Sequence, residues 1–239
     1  MFSVCTFEDF KIDKVYLTMA TETIHVYFMP GMAASPKIFE YIKFPEPQFK
    51  LHFLEWIMPE REESINDYAL RICEHIEFDN VVLVGVSFGG VLVQEMSKHI
   101  SVRKLIIVSS VKQQNELPRQ MLIAKATMAY KLVPTQLASK IDVVAKYAFG
   151  NNVTKRLDLY KKYLSVNDSR YLSWAIEQMV CWSQTIVPEG LVHIHGDNDS
   201  VFPIKNIKNC IIIKGGTHIM IINKYKWFNE NLPQIILEA

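Results

Sequence analysis

Ten consecutive residues, Val81-Val82-Leu83-Val84-Gly85-Val86-Ser87-Phe88-Gly89-Gly90, restrict the fold of this chain more than any other stretch. Val81 to Val84 is an unbroken apolar run, as a strand buried on both faces must be, while Val91 to Met96 reads as a helix. Between them lies Gly-x-Ser-x-Gly. A strand that turns sharply into a helix on that pentapeptide is a nucleophile elbow, which holds the central serine in a strained conformation with its hydroxyl exposed. The two backbones pass so close that Gly85 and Gly89 are needed for want of a Cβ. The pentapeptide alone is a weak signal; the strand before it and the helix after it make it strong. A phosphate-binding loop is the other use of such glycines, but no Lys-Ser/Thr follows and the G-x-G-x-x-G spacing is absent.

The same rhythm extends both ways from the elbow. Thr23 to Phe28 is rich in β-formers and stops at Met29-Pro30-Gly31, a turn signal. Ser35-Pro36 predicts a helix through Phe39 and Ile42, with serine at the cap and proline in the first turn. Phe49 to Trp56 is a further strand candidate. Ser64 caps a helix whose apolar positions Ile65, Tyr68, Ala69, Ile72, Cys73 and Ile76 keep helical spacing. After the elbow comes another buried-looking strand, Lys104 to Ser110. Strand and helix alternate throughout, which predicts an α/β fold with a mostly parallel central sheet and helices on both faces.

From Val111 to Val187 the alternation breaks and only helical pattern remains. Leu172, Ala175, Ile176, Met179, Val180 and Ser183 form one stripe, with Trp174 and Trp182 beside it. Leu191–Gly196 and Cys210–Gly215 restore the strands, and an amphipathic helix from about Asn223 to Leu237 ends the chain. The expected division is a core of residues 1–110 and 188–239, carrying a helical lid, 111–187, inserted before the last two strands. An insertion there sits at the C-terminal edge of the sheet, where open α/β folds bind ligands. A short edge strand or hairpin is expected within residues 1–22.

Composition agrees with a soluble, cytoplasmic enzyme. The chain is 239 residues long and 49% hydrophobic, enough for a large core. Its 26 basic and 25 acidic residues are interspersed, so no basic stripe points to nucleic acid or an anionic membrane. No apolar run is long enough to span a bilayer, and the N-terminal residues lack the pattern of a secretory signal. Cys5, Cys73, Cys181 and Cys210 are scattered without C-x-x-C spacing and read as reduced thiols. The sequons at Asn152, Asn167 and Asn198 carry no meaning in a cytoplasmic chain.

An elbow serine needs a base to take its proton and an acid to orient the base. In a fold of this kind both belong just past the ends of later strands. His195-Gly196-Asp197-Asn198-Asp199 follows one such strand, offering two carboxylates, and Gly215-Gly216-Thr217-His218 follows the next. His218 is the histidine that directly succeeds a Gly-Gly turn after the last strand. His25, His52 and His193 fall within strand runs and read as structural, while His75 and His99 sit near helix ends, where a dipole contact explains them. His195 with Asp199 is at most half a metal site, and no third ligand is evident. No metal and no cofactor are expected.

From about Thr23 onward the chain resembles the α/β-hydrolase superfamily. The resemblance rests on the turn Phe28-Met29-Pro30-Gly31-Met32, the Gly85–Gly89 elbow, and the tail Gly196-x-x-Asp199 with His218. The family's acid is usually the third residue after the glycine, which selects Asp199 over Asp197; Asp197 then reads as a turn residue bonding its own backbone. The family often has His-Gly where this chain has Pro30-Gly31, which leaves the backbone donor intact. The resemblance therefore implies a triad of Ser87, His218 and Asp199, with an oxyanion hole at the N–H groups of Met32 and Phe88.

The implied activity is hydrolysis of a carboxylic ester or related acyl compound through an acyl-enzyme. The expected partner is a small acyl molecule. Met29, Trp174, Met179 and Trp182 are candidates for its pocket and suggest an apolar moiety. Two alternatives share the scaffold: a non-catalytic ligand-binding protein, and an acyltransferase that passes the acyl group to an alcohol or amine.

Overall fold

A computed structural model describes residues 22–133, 162–164 and 166–238 of the chain. The strand or hairpin expected within residues 1–22 falls almost wholly outside them. Among the described residues six strands form one sheet: β1 (Ile24–Met29), β2 (Phe49–Phe53), β3 (Val81–Val86), β4 (Lys104–Val108), β5 (Val192–Gly196) and β6 (Ile211–Ile213). They lie in the order β2-β1-β3-β4-β5-β6, with every pairing parallel. The reason lies in composition. Val81 to Val86 is buried at every position, and a strand covered on both faces needs crossover helices rather than hairpins.

The described helices are α1 (Ile65–Cys73), α2 (Phe88–Met96), α3 (Arg119–Thr127), α4 (Ser169–Cys181), α5 (Met220–Asn223) and α6 (Tyr225–Leu237). Ser64 caps α1 as its sequence predicts, its hydroxyl accepting from the Asp67 N–H at 3.1 Å. The chain steps from β1 to β2 in one direction and from β3 to β4 in the other. With right-handed crossovers, that reversal puts α1 and α2 on one face and the β1–β2 connection on the other. The C-terminal helix joins that second face: Asn229 accepts from the Lys43 N–H at 3.0 Å and donates to the Tyr41 carbonyl at 2.9 Å. The reversal also opens a crevice beyond the C-terminal ends of β1 and β3, the switch point at which such sheets bind ligands.

Three expectations shift. The helix predicted from Ser35 through Ile42 is a single 3-10 turn, Pro36–Phe39. It continues as i→i+3 bonds from Glu40 to Lys37 and from Ile42 to Phe39. Pro45 and Pro47, lacking N–H groups, stop any extension. β2 ends at Phe53 rather than Trp56. β6 is an edge strand: Ile212 is 58% exposed, so its apolar run marks one buried face and not two. Among the described residues, no helix is long and apolar enough to cross a membrane.

Candidate active site

Ser87 sits where β3 becomes α2, at φ 54° and ψ −120°. A non-glycine residue there costs on the order of 1–3 kcal/mol and persists only when its surroundings enforce it. They do so from three sides. The Ser87 N–H donates to the Val108 carbonyl at 2.9 Å, and its own carbonyl accepts from the Gly90 N–H at 2.9 Å and the Ser110 hydroxyl at 2.7 Å. The close approach read from the glycines is present: a Cβ on Gly89 would strike the backbone carbonyls of Met29 and Pro30. Gly89 thus lets the turn after β1 lie against the elbow.

That turn carries Gly31 and Met32. A Cβ on Gly31 would lie 3.4 Å from the Cβ of Ser87, so the turn borders the serine directly. Phe88 is the first residue of α2, and its N–H therefore has no carbonyl within the helix to bond. β1 and β3, whose ends pair at Met29 and Gly85, bring the turn that carries Met32 and the start of α2 at Phe88 next to Ser87.

On the other side of the crevice, the turns after β5 and β6 pack together. A Cβ on Gly196 would strike the Gly216 carbonyl, and the Asn198 N–H donates to that same carbonyl at 2.9 Å. This contact sets Asp199 beside His218. His218 Nδ1 lies 2.9 Å from Asp199 Oδ2 and 3.1 Å from Oδ1, while its Nε2 lies 2.9 Å from the Ser87 Oγ. Asp199 Oδ1 also accepts from the Val201 and Phe202 N–H groups at 2.8 and 2.9 Å. Burial alone would raise the Asp199 carboxyl; His218 beside it and the Phe202 N–H outweigh burial and hold it below the ordinary value.

The second carboxylate does different work. Asp197 Oδ1 accepts from the Gly215 N–H at 2.7 Å, so it ties its turn to the next strand's turn rather than to its own backbone. Among the described residues, the carboxylate hydrogen-bonded to His218 is that of Asp199.

Two buried histidines stand behind Asp199. His195 Nε2 is 2.8 Å from the Phe202 carbonyl, which makes that nitrogen the donor. Its Nδ1 must then accept, 3.1 Å from His193 Nε2. Burial, chiefly, keeps both neutral: it pushes His193 down to about 2 and lowers His195, against the partial opposition of the Phe202 carbonyl. His195 therefore serves as a spacer that shapes the loop holding Asp199, and its free lone pair is already spent. Among the described residues, no group of three or more metal-ligating side chains occurs.

The four pocket candidates are all buried. Met29 ends β1. Trp174 donates its indole N–H to the Glu63 carbonyl at 2.7 Å and meets the Phe88 ring edge-on at 5.9 Å. Met179 lies on the inner face of α4. Trp182 stands apart, its indole N–H donating to Glu95 at 2.8 Å. It lines a groove of about 810 Å³ with Ser64, Lys98 and Ile186, and Ser87 is not part of that groove.

Two residues of the site region escaped the sequence reading. Trp56, read as the last residue of a strand, donates its indole N–H to the Gly31 carbonyl at 2.9 Å. Tyr171 accepts from the Ala33 N–H at 3.3 Å. Tyr171 stands three residues before Trp174 and four before Ala175 on the same helix, so helical spacing from the α4 stripe would have found it; nothing local marks Trp56.

No protein-family model and no curated protein matches this chain in sequence. Solved structures do match in shape. A bromoperoxidase from Bacillus anthracis superposes with a TM-score of 0.65 at 19% identity, covering 90% of this chain and 92% of that one. A hydrolase from Oleispira antarctica gives 0.66 at 12% identity, over 90% and 92%. A structure from work on carboxylesterases of the thaumarchaeon Nitrososphaera gargenis gives 0.64 at 14% identity, over 90% of each chain. The chain has the α/β-hydrolase fold. Within that fold the crevice between β1 and β3 holds Ser87, and the turns after β5 and β6 supply Asp199 and His218.

Proposed function

We propose that this α/β-hydrolase-fold protein is a serine hydrolase that cleaves a carboxylic ester or related acyl compound. The observation that carries this reading is the continuous hydrogen-bonded chain from Ser87 through His218 to a buried Asp199. His218 Nε2 takes the Ser87 proton as Oγ attacks the acyl carbon, and returns it to the leaving group. Asp199 holds the Nδ1–H tautomer and offsets the charge that forms on the ring. The Met32 and Phe88 N–H groups receive the oxyanion, each worth about 3–4 kcal/mol at the transition state. Water then releases the acyl group from Ser87. No cofactor enters.

The apolar part of the substrate lies against Phe88 and Trp174, with Met29 and Met179 behind them. The insertion between β4 and β5 acts as the lid. Its support is local: Ala34 pairs with Leu164, the Ser35 N–H donates to the Tyr163 carbonyl at 2.8 Å, and Val166 donates to the Ala33 carbonyl at 3.2 Å. The insertion therefore borders the turn that carries Met32. Cys73, Cys181 and Cys210 are free thiols, in keeping with a reducing, cytoplasmic setting.

The test is turnover of p-nitrophenyl esters from acetate to decanoate, with Ser87→Ala as control. Hydrolysis that vanishes in the variant supports the reading, and the optimum chain length sizes the acyl pocket. A folded wild-type protein that neither turns over the panel nor reacts with a fluorophosphonate would sink it in favour of a ligand-binding role.

A further inference from the structure

Trp56 touches Phe88, one of the two residues whose N–H groups are assigned to the oxyanion, and the Gly31 carbonyl, which shares a peptide unit with the other, Met32. Its indole Nε1–H donates to the Gly31 carbonyl at 2.9 Å. Its ring lies 5.2 Å from the Phe88 ring and within 11° of parallel to it. The first contact matters because of peptide geometry. The Gly31 carbonyl and the Met32 N–H belong to one planar trans unit, so they point in opposite directions. Whatever fixes the Gly31 carbonyl fixes the Met32 N–H.

The surroundings make Trp56 a rigid reference. It is buried, and the next residue is clamped: the Ile57 N–H and carbonyl both bond the Tyr68 hydroxyl, at 3.0 and 2.9 Å. The Gly31 carbonyl accepts a second bond from the Ala34 N–H at 3.0 Å. The following peptide unit is held in turn, since Ala33, at φ 62°, donates its N–H to the Tyr171 hydroxyl at 3.3 Å. Burying an indole N–H is costly unless it finds a partner, and here the partner is the carbonyl whose direction sets the Met32 N–H.

We propose that Trp56 is a positioning residue for the oxyanion hole, aiming the Met32 N–H through the Gly31 carbonyl and seating Phe88 against its ring face. The inference rests on the hydrolase reading, with Ser87 as nucleophile. It assigns Trp56 an effect on the transition state and none on how an uncharged substrate first binds.

The experiment is saturation kinetics of Ser87 labelling by an alkyl fluorophosphonate. In that reaction the Ser87 oxygen bonds to phosphorus, fluoride leaves, the serine proton passes to His218, and the phosphoryl oxygen occupies the oxyanion position. Two replacements of Trp56 are compared with wild type. Trp56→Phe keeps an aromatic face and loses the N–H. Benzothienylalanine at position 56 keeps the bicyclic shape and puts sulfur in place of the N–H. The maximal labelling rate should fall about tenfold or more in both, short of the 10²–10³ that deleting a donor outright costs. The half-saturating concentration should not move. A loss of packing alone would not produce that split, and the isosteric replacement decides the matter if Trp56→Phe fails to fold. Rates within about twofold of wild type in the folded variants would overturn the proposal while leaving the hydrolase reading intact. A wild-type protein unlabelled at Ser87 would overturn both.

Discussion

The two sides of the crevice are held by different physics. On the β1–β3 side, Ser87 is placed by backbone shape: a strained φ, glycines that let main chains touch, and bonds to the Val108 carbonyl, the Gly90 N–H and the Ser110 hydroxyl. On the β5–β6 side, glycine contact only brings the two turns together; Asp199 and His218 are then held by titratable side chains and by two buried neutral imidazoles. Steric placement has no proton to gain or lose. Polar placement does. The contrast teaches that the serine side should fail abruptly, through mutations the backbone cannot absorb, whereas the acid side should fail gradually and with pH.

The largest effect expected is at the serine itself: Ser87→Ala should lower ester turnover by about 10⁶-fold with the melting curve unchanged. Asp199→Asn should cost on the order of 10⁴ in kcat, because the amide favours the wrong His218 tautomer. Gly89→Ala pushes a methyl into the Met29 and Pro30 carbonyls, and should cost about 4 kcal/mol or more by urea denaturation. A fully stable Gly89→Ala protein would break the steric half of the comparison. Asp197→Asn should leave kcat within about tenfold of wild type, since its contact is to Gly215 and not to His218. If it proves the more damaging of the two aspartate variants, the acid has been misassigned.

The smallest expected effect sharpens the polar half. His193 ordinarily titrates at 6.5 but is pushed down to about 2 here. Below pH 6.5 the unfolded chain takes up a proton at this position and the native state does not. Its contribution to stability is therefore whole above the unfolded value and is lost as pH falls toward the native one. The loss is about 1.4 kcal/mol per pH unit for each such histidine. His195, lowered for the same reason, adds in the same direction. Urea denaturation of wild type and His193→Phe between pH 7 and 5 should show the shallower acid slope in the variant. Equal slopes would mean that His193 is not buried neutral.

How much of this is legible in the sequence follows the same divide. The sheet is readable because strands buried on both faces must be continuous apolar runs, and Val81–Val86 and Ile106–Val108 are such runs. The elbow is readable because a backbone constraint demands glycine at fixed spacing. β6 is readable as a strand but not as an edge, since Ile211-Ile212-Ile213 has a core strand's composition. The strand ends carrying Asp197, Asp199 and His218 could be found by position alone. Which aspartate meets His218 depends on how two turns pack; the choice of Asp199 came from the spacing habit of the resembled family, not from any local physical preference of the turn. Trp56 and Tyr171 were missed for the same reason: their polar atoms bond backbone groups 25 and 138 residues away. Trp182, a pocket candidate by its place beside the stripe, instead donates its indole N–H to Glu95 on α2.

The antiparallel contact between Ala34 and Leu164 bears on how such a protein could be re-engineered or could diverge. The bonds from Ser35 to Tyr163, Val166 to Ala33 and Ala33 to Tyr171 make the stretch from the insertion part of the turn's own scaffolding. Grafting a foreign segment between β4 and β5 would exchange that scaffolding along with the lid we propose. Selectivity and turnover would then be inherited together, as one exchangeable unit.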